Sequence, residues 1–411
     1  MMMNKPFLAI LFFFISQQTF SQTNDLSSSP YSLYGLGLLN NLSTGKSNTM
    51  GKTGIASPFN GTINTLNPAS FASINPNSFL YEVGVKIQRE TLVEEGINEP
   101  RNNANFSGLA FAFPLTEKLG MGLTLLPYTN VGYFVRGVSN EIEGSTDTYL
   151  SDIYGSGGLN SLKANFGYSL NNKFRVGLTT SFLFGKIAED ETNYIDGDAL
   201  YISEENFYSG IQFTAGMQYD VNENFSVGTT LNIPTSLKGD QELTIYQEDS
   251  ETNELKTKEL NRFKLPLEVG LGLQTRFSEN LLVNVDYKKS FWNATGQSDQ
   301  GGDFINNDFI GLGLEYVPNK NSTDYWKRVM YRTGVNYDNG NLEINNDRIK
   351  TSQLTLGLGL PFNKNNNSML NIGYSYGQQG ILSSTLIQEK FHLISINLSL
   401  ENSWFQKILY D

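Results

Sequence analysis

The chain has 411 residues, 39% of them hydrophobic, with a formal net charge of −12, one histidine and no cysteine. A pI of about 4.8 argues against nucleic acid as a partner, and without thiols or a histidine cluster, thiol and zinc chemistry have nothing to build on. Mean hydropathy is −0.30 and no apolar run approaches the roughly 20 residues of a spanning helix, so a membrane could be crossed only by strands.

In chain order, Lys5 precedes an apolar run from Phe7 to Ile15, and a small-residue exit follows at Thr19-Phe20-Ser21. Residues 1–21 therefore read as a signal peptide cleaved before Gln22, its apolar core being too short for an anchor. No lipid-modified cysteine is available and no disulfide framework can form, which leaves a barrel as the means of membrane attachment.

Residues 22–77 are rich in Gly, Ser, Asn and Pro and lack sustained period-two alternation. Scattered apolar residues, among them Leu33, Leu36, Met50, Ile55, Ile63 and Phe71, favour a plug folded inside a lumen over a disordered tail.

From residue 78 to residue 400 the pattern is that of an all-β, about 14-stranded antiparallel transmembrane β-barrel. Short polar turns at Thr116-Glu117-Lys118, Asn171-Asn172, Asn222-Glu223-Asn224, Ser278-Glu279-Asn280, Pro318 to Tyr325 and Asn363 to Asn367 alternate with longer connections. The longer ones are expected around Leu92 to Asn103, Gly137 to Ser156, Ala188 to Glu204, Thr235 to Leu260, Asn293 to Phe304, Asn339 to Arg348 and Gln378 to Leu386. Both barrel ends then fall on the short-turn side, which is periplasmic in outer-membrane barrels.

Side chains alternate as a lipid-facing wall requires. Phe207, Ile211, Phe213, Met217 and Tyr219 share one face, as do Phe263, Leu265, Leu267, Val269, Leu271 and Leu273, then Ile310, Leu312 and Leu314, then Leu354, Leu356 and Leu358, then Ile394 and Ile396. Tyr168, Phe174, Tyr219, Phe225, Phe277 and Tyr316 gather beside the short turns as an interfacial girdle. A soluble β-sandwich also alternates, but it would not explain strands this long or turns that alternate in length.

Several local features bear on function. In the third strand the apolar parity of Leu119, Met121, Leu123 and Leu125 reaches Pro127, which has no N–H for the ladder, and beyond it the alternation blurs through Tyr128 and Gly132. The wall is expected to kink there, as a bulge or as a lateral opening. Inward positions are crowded with glycine, including Gly84, Gly108, Gly122, Gly177, Gly228, Gly313, Gly357 and Gly373, either to admit a plug's backbone or to relieve curvature. His392 has lipid-face parity with Lys390 and Ile394 as its same-face neighbours, so no serine–histidine dyad forms and no catalytic residue is assigned. Asp196-Gly197-Asp198 and Asp338-Asn339-Gly340-Asn341 lack full calcium-loop spacing, and acidic runs such as Glu189-Asp190-Glu191 read as solvated loops; no metal and no cofactor is expected. Residues 401–411 continue past the last clear strand as a periplasmic tail in which Trp404 and Phe405 could meet a partner.

Ser29-Pro30-Tyr31-Ser32-Leu33-Tyr34-Gly35-Leu36-Gly37, the Gly51 and Gly54 of Met50-Gly51-Lys52-Thr53-Gly54-Ile55-Ala56, and the Asn67-Pro68-Ala69 triplet just before the first strand resemble the hatch of FadL-type outer-membrane proteins, most closely the Bacteroidota branch. The resemblance implies a hatch-plugged barrel in the outer membrane of a Gram-negative cell, taking up hydrophobic, fatty-acid-like molecules through a lumen pocket and an opening at Pro127, Tyr128 and Gly132. It also implies an alternative, because similar barrels serve as non-transporting accessory subunits in type IX secretion or barrel assembly. Expected partners are outer-membrane lipid and lipopolysaccharide, a hydrophobic ligand in the first case, and other outer-membrane or periplasmic proteins in the second. Transport requires a continuous apolar pocket, and the accessory role a filled lumen.

Overall fold

The computed structural model describes residues 27–40, 43–58, 61–94, 97–142, 144–195, 198–247, 254–299, 301–362, 367–382 and 386–403. The proposed signal peptide and the tail residues Trp404 and Phe405 lie outside this set.

Fourteen antiparallel strands close into one ring. β1 (Ser78–Glu94) and β2 (Ile97–Pro114) form the first hairpin, and β3 runs in two pieces, Leu119–Pro127 and Thr129–Glu141. β4 (Thr148–Ser169), β5 (Phe174–Ile195) and β6 (Asp198–Asn222) follow. β7 is split into Phe225–Asn232 and Thr235–Gln247, and β8 into Glu254–Leu265 and Glu268–Ser278. β9 (Leu281–Ser290), β10 (Asn307–Tyr316), β11 (Met330–Asp338), β12 (Thr351–Pro361), β13 (Met369–Gln379) and β14 (Gln388–Ser403) complete the wall. β14 returns to pair with β1 from Ser78↔Ser403 to Val93↔Gln388. Each split strand breaks at a proline, Pro127, Pro234 or Pro266, where the ladder loses a donor.

The outer face carries the apolar parity. Ile211, Phe213, Met217, Leu271, Leu273, Ile310, Leu312, Leu354, Leu356, Ile394 and Ile396 are all exposed, as lipid-facing groups must be in the bare protein. Tyr168, Tyr219, Phe277 and Tyr316 stand exposed beside the short turns.

Three expectations need correction. Phe263 and Leu265 do not share the lipid face with Leu271 and Leu273, because the break at Pro266 shifts the parity and turns both inward, where they are buried. Much of what reads as long connection is paired strand: β5 and β6 stay in register to Ile195↔Asp198, and β1 and β2 to Glu94↔Ile97. Beyond the lipid a strand is free of the apolar-out rule, so its sequence looks like loop while its ladder continues. Finally, Glu401, Asn402 and Ser403 are strand rather than tail, pairing with Leu80, Phe79 and Ser78.

Strand length is uneven around the ring. β4, β5 and β6 have 22, 22 and 25 residues, whereas β9 to β13 have 9 to 11, about what a bilayer needs. One side of the barrel therefore rises well above the mouth.

The described residues between 27 and 77 fold inside the lumen around three short helical turns, Pro30–Leu33, Gly45–Asn48 and Pro68–Ser73, and a two-residue strand, Leu38–Leu39. Met50, Ala69 and Phe71 are almost fully buried, so this segment is a packed plug.

Candidate functional site

The hatch is held by side chains that point inward from the wall. Asp286 on β9 accepts from the backbone N–H groups of Gly54 and Ile55 at 2.7 and 3.0 Å, and Glu82 on β1 accepts from that of Ile63 at 2.8 Å. Gln218 on β6 donates to the carbonyls of Ile55 and Ser57. Lys46 of the hatch lies 2.7 Å from Glu315 on β10, whose other oxygen is 2.8 Å from Nε of Arg332 on β11. Arg332 also donates to Asn371 at 2.6 Å. Each holder sits opposite an apolar lipid-facing neighbour, Glu82 between Tyr81 and Val83 and Glu315 between Leu314 and Tyr316, so its inward direction was readable from parity. Its hatch partner was not, because these pairs lie up to 269 residues apart.

The hatch residues singled out from sequence are brought together against this wall. Asn67 caps the turn Pro68–Ser73 by accepting from Ala69 N at 3.0 Å, and its amide donates to the carbonyls of Ile55, Met217 and Thr229. Gly51 has φ +61°, and a Cβ there would lie about 2.5 Å from backbone oxygens of β10 and β11. From the wall side, a Cβ at Gly122, Gly177, Gly228, Gly313 or Gly357 would run into Phe71, Pro68, Ile55, Met50 or Thr49. Those inward glycines let the plug's backbone touch the wall. At Gly84 and Gly108 the nearest atoms belong to other wall side chains, and at Gly373 the wall and Thr49 share the space.

The mouth is filled by a second, apolar cluster. Tyr31 and Leu36 of the hatch pack with Val131, Leu159, Leu183, Leu237, Phe263, Leu265, Trp292, Phe304, Leu342 and Ile344. Phe263, Trp292 and Phe304 form a ring triad with centroids 5.2 to 6.4 Å apart. The loops β9–β10 and β11–β12 supply a small four-stranded sheet here (Ser298–Asp299, Gly302–Phe304, Leu342–Ile344, Asp347–Arg348), and its Asp299 accepts from Gly35 N at 2.6 Å. Tyr31, Trp292, Phe304 and Leu342 of this cluster also border the cavity beneath it.

Between the two plugs lies a cavity of about 430 Å³. Charged and polar side chains, among them Lys52, Lys86, Lys163, Lys288, Glu268, Asp286, Gln212 and Gln353, share its lining about evenly with apolar ones such as Leu126, Phe309 and Phe391. Burial, reinforced by the Lys288 charge, pulls the Lys52 ammonium of the hatch down to about 8.

The wall is broken at the proline of β3. β2 pairs with the inner piece of β3 from Pro114↔Gly120 only as far as Leu109↔Leu125. The outer piece pairs with β4, and its free side takes the hatch strand through Leu38↔Asn130 and Leu39↔Thr129. Among the described residues no ladder joins residues 97–108 of β2 to β3. Pro127 and Tyr128 stand at this break and line the cavity, and Tyr128 accepts from Asn40 N at 2.9 Å. Gly132 is gripped by the Ser32 hydroxyl, to which its N–H donates at 3.0 Å, while a Cβ on it would strike the backbone of Ser27.

His392 is exposed on the lipid face, with Nδ1 2.7 Å from the Tyr374 hydroxyl. Among the described residues no group of three or more His, Asp or Glu is placed to hold a metal ion. The Asp338 to Asn341 segment is a turn, with Asp338 accepting from Gly340 N at 2.8 Å, and Asp196 and Gly197 lie outside the described residues.

Among solved structures the fold is similar to CymD, a monoaromatic hydrocarbon channel, with a TM-score of 0.62 at 16% identity over 90% of this chain and 100% of that one. The P. putida toluene transporter TodX gives the same TM-score, identity and coverage. A Pseudomonas aeruginosa FadL homologue gives 0.61 at 12% identity over 88% of this chain and 98% of that one. At such identities the likeness is one of fold, that of a FadL-like outer-membrane barrel. A search of curated protein sequences finds no match. The family model described as BamG matches residues 2–411, nearly the whole length, and the chain belongs to the BamG family.

Proposed function

We propose that this protein is a non-transporting accessory barrel of an outer-membrane machine, for barrel assembly or type IX secretion. The observation that carries the reading is the filled lumen: a hydrogen-bonded hatch in the short-turn half, an apolar cluster across the mouth, and a cavity with charged groups in its lining between them. A hydrophobic cargo would have to displace the mouth cluster and then pass a cavity that four lysines and four carboxylates line. The BamG family name points the same way. Partners would meet the tall wall of β4 to β6, or the short-turn end, where Trp404 and Phe405 would contribute. Solubilisation in mild detergent followed by identification of co-eluting proteins tests this. Stoichiometric outer-membrane or periplasmic partners are expected; a lone barrel carrying a bound hydrophobic compound would refute it.

A second reading, passive transport of a hydrophobic compound, is favoured by one feature, the missing β2–β3 ladder at Pro127 and Tyr128. CymD, which shares the fold, is a monoaromatic hydrocarbon channel, and TodX a toluene transporter. Replacing Pro127 with valine restores an N–H and favours continuous pairing, whereas Gly132 is left alone because of its contact with Ser27. Uptake of a labelled fatty acid that falls in Pro127→Val at unchanged barrel abundance supports transport, and absence of uptake in the unmutated protein removes it.

A further inference from the structure

The cavity between the plugs holds an imbalance of contacts rather than of charge. Four lysines line it from four elements: Lys52 from the hatch, Lys86 from β1, Lys163 from β4 and Lys288 from β9. Four carboxylates line it too, Glu90, Glu268, Asp286 and Asp338. Three of these already accept from neighbours. Asp286 holds Gly54 and Ile55; Glu268 holds Asn232 and Ser290, both at 2.9 Å; Asp338 holds Asn307 and Gly340. Glu90 lies paired with Glu389.

The ammonium groups have far less. Among the described residues none of the four makes an ion pair within 4.0 Å. Lys86 reaches Asn40 at 3.1 Å and Lys288 lies over the Phe309 ring at 4.5 Å. Lys163 is 92% buried, being 8% exposed, and neither it nor Lys52 has a hydrogen-bond partner among the described residues. Lys288 adds positive potential at both Lys52 and Lys163, and Lys52 at Lys86; Glu268 more than offsets it at Lys163 and Asp338 offsets part of it at Lys52, in each case without a direct ion pair. Enclosing the Lys52 and Lys163 ammonium groups without acceptors, beside two further lysines that have one weak contact each, is costly, so the site suits an acceptor it does not itself supply.

We propose that the lumen cavity binds a phosphate-bearing anion, coordinated by Lys52, Lys86, Lys163 and Lys288, which ties the hatch to three wall strands. A compact, multiply charged oxyanion can accept from several ammonium groups at once, and such charge-assisted bonds are the strong ones. At about 430 Å³ the cavity exceeds what a bare phosphate fills, and falls in the size range of small-molecule sites. Thr214, Thr230, Ser375 and Ser395 line it as well, hydroxyls suited to the rest of a phosphate ester. The phosphate could come from solution or from a lipid headgroup admitted at the Pro127 break, whose residues share the lining.

The test uses the full-length protein in nonionic detergent, with inorganic pyrophosphate as the soluble probe against sodium chloride at matched ionic strength. Hydrogen exchange of hatch residues 43–58 reports docking, and native mass spectrometry reports retained lipid. Pyrophosphate should slow hatch exchange at least tenfold more than chloride, and Lys163→Met and Lys52→Met should each abolish the difference. Lys163→Arg should keep part of it, which separates anion binding from a folding defect. A retained phospholipid that is lost in both methionine variants, with no pyrophosphate effect, assigns the source to a headgroup. Equal effects of pyrophosphate and chloride with no retained phospholipid overturn the proposal, as does a pyrophosphate effect that survives both methionine substitutions.

Discussion

Glu315→Ala should loosen the hatch while leaving the barrel standing. The Glu315 carboxylate sits between Lys46 at 2.7 Å and Arg332 at 2.8 Å, with all three side chains at most 12% exposed. Removing it leaves two cations facing each other in a buried site, a change that costs about 3–5 kcal/mol in comparable pairs. When the hatch undocks, Lys46 is rehydrated and the penalty disappears, so the whole cost falls on the docked state. At a tenfold change per 1.4 kcal/mol, the undocked population rises by roughly two to four powers of ten. Amide hydrogen exchange reads this directly, because the N–H groups of Gly54, Ile55 and Ile63 are protected by Asp286 and Glu82, which the substitution does not touch. Exchange in residues 43–58 and 61–72 should accelerate by that factor while β9 and β14 stay protected. Unchanged hatch exchange in Glu315→Ala would show that the charge pair does not hold the plug, and equal acceleration in β9 and β14 would show that hatch and barrel are one cooperative unit.

Three further outcomes can be checked. Gly228→Ala would place a Cβ 2.5 Å from the Ile55 carbonyl oxygen, and overpacking of this kind costs about 1–3 kcal/mol, so hatch exchange should rise some 5- to 150-fold. Lys52, whose ammonium falls from its ordinary 10.5 to about 8 when docked, binds fewer protons docked than undocked between those values. Docking should therefore strengthen as pH rises from 8 to 10.5, as judged by exchange corrected for its intrinsic pH dependence, and the trend should shrink in Lys52→Met. Because the chain has no cysteine, single cysteines report sidedness: one at Ser145, exposed between β3 and β4, should react with an impermeant reagent on intact cells, and one at Asn172, in the β4–β5 turn, should not. Labelling only at Asn172 would reverse the orientation.

The barrel was legible because lipid imposes a rule on every second residue. Ile211 and Phe213, Leu271 and Leu273, and Ile310 and Leu312 announce their face without any knowledge of neighbours. That rule stops where the lipid stops, which is why the upper halves of β5 and β6 read as loop. It also does not survive a break: residue types continue to alternate through Pro266, but the backbone shifts, and Phe263 and Leu265 end up in the mouth cluster. For the inward residues parity gives direction and nothing else. Lys52, Lys86, Lys163 and Lys288 could each be seen as inward or hatch residues, yet their meeting in one cavity depends on strand height and curvature, which a linear pattern does not contain.

The Pro127 break has a consequence for how the molecule is made. In hydrocarbon each unpaired backbone group costs several kcal/mol, so an open flank on the outer piece of β3 is a liability until Leu38 and Leu39 occupy it. The ring itself closes through β1 and β14, whose partners Ser78 and Ser403 are far apart in sequence and among the last to meet during synthesis. The segment that fills the flank is synthesised before any barrel strand and is tethered to β1. Because it precedes β1 without a break in the chain, it is at hand from the moment the first hairpin forms and can meet the flank as the sheet curls. The hatch is then part of the wall as well as a stopper, and a barrel whose N-terminal segment stayed outside would keep an unpaired flank on β3.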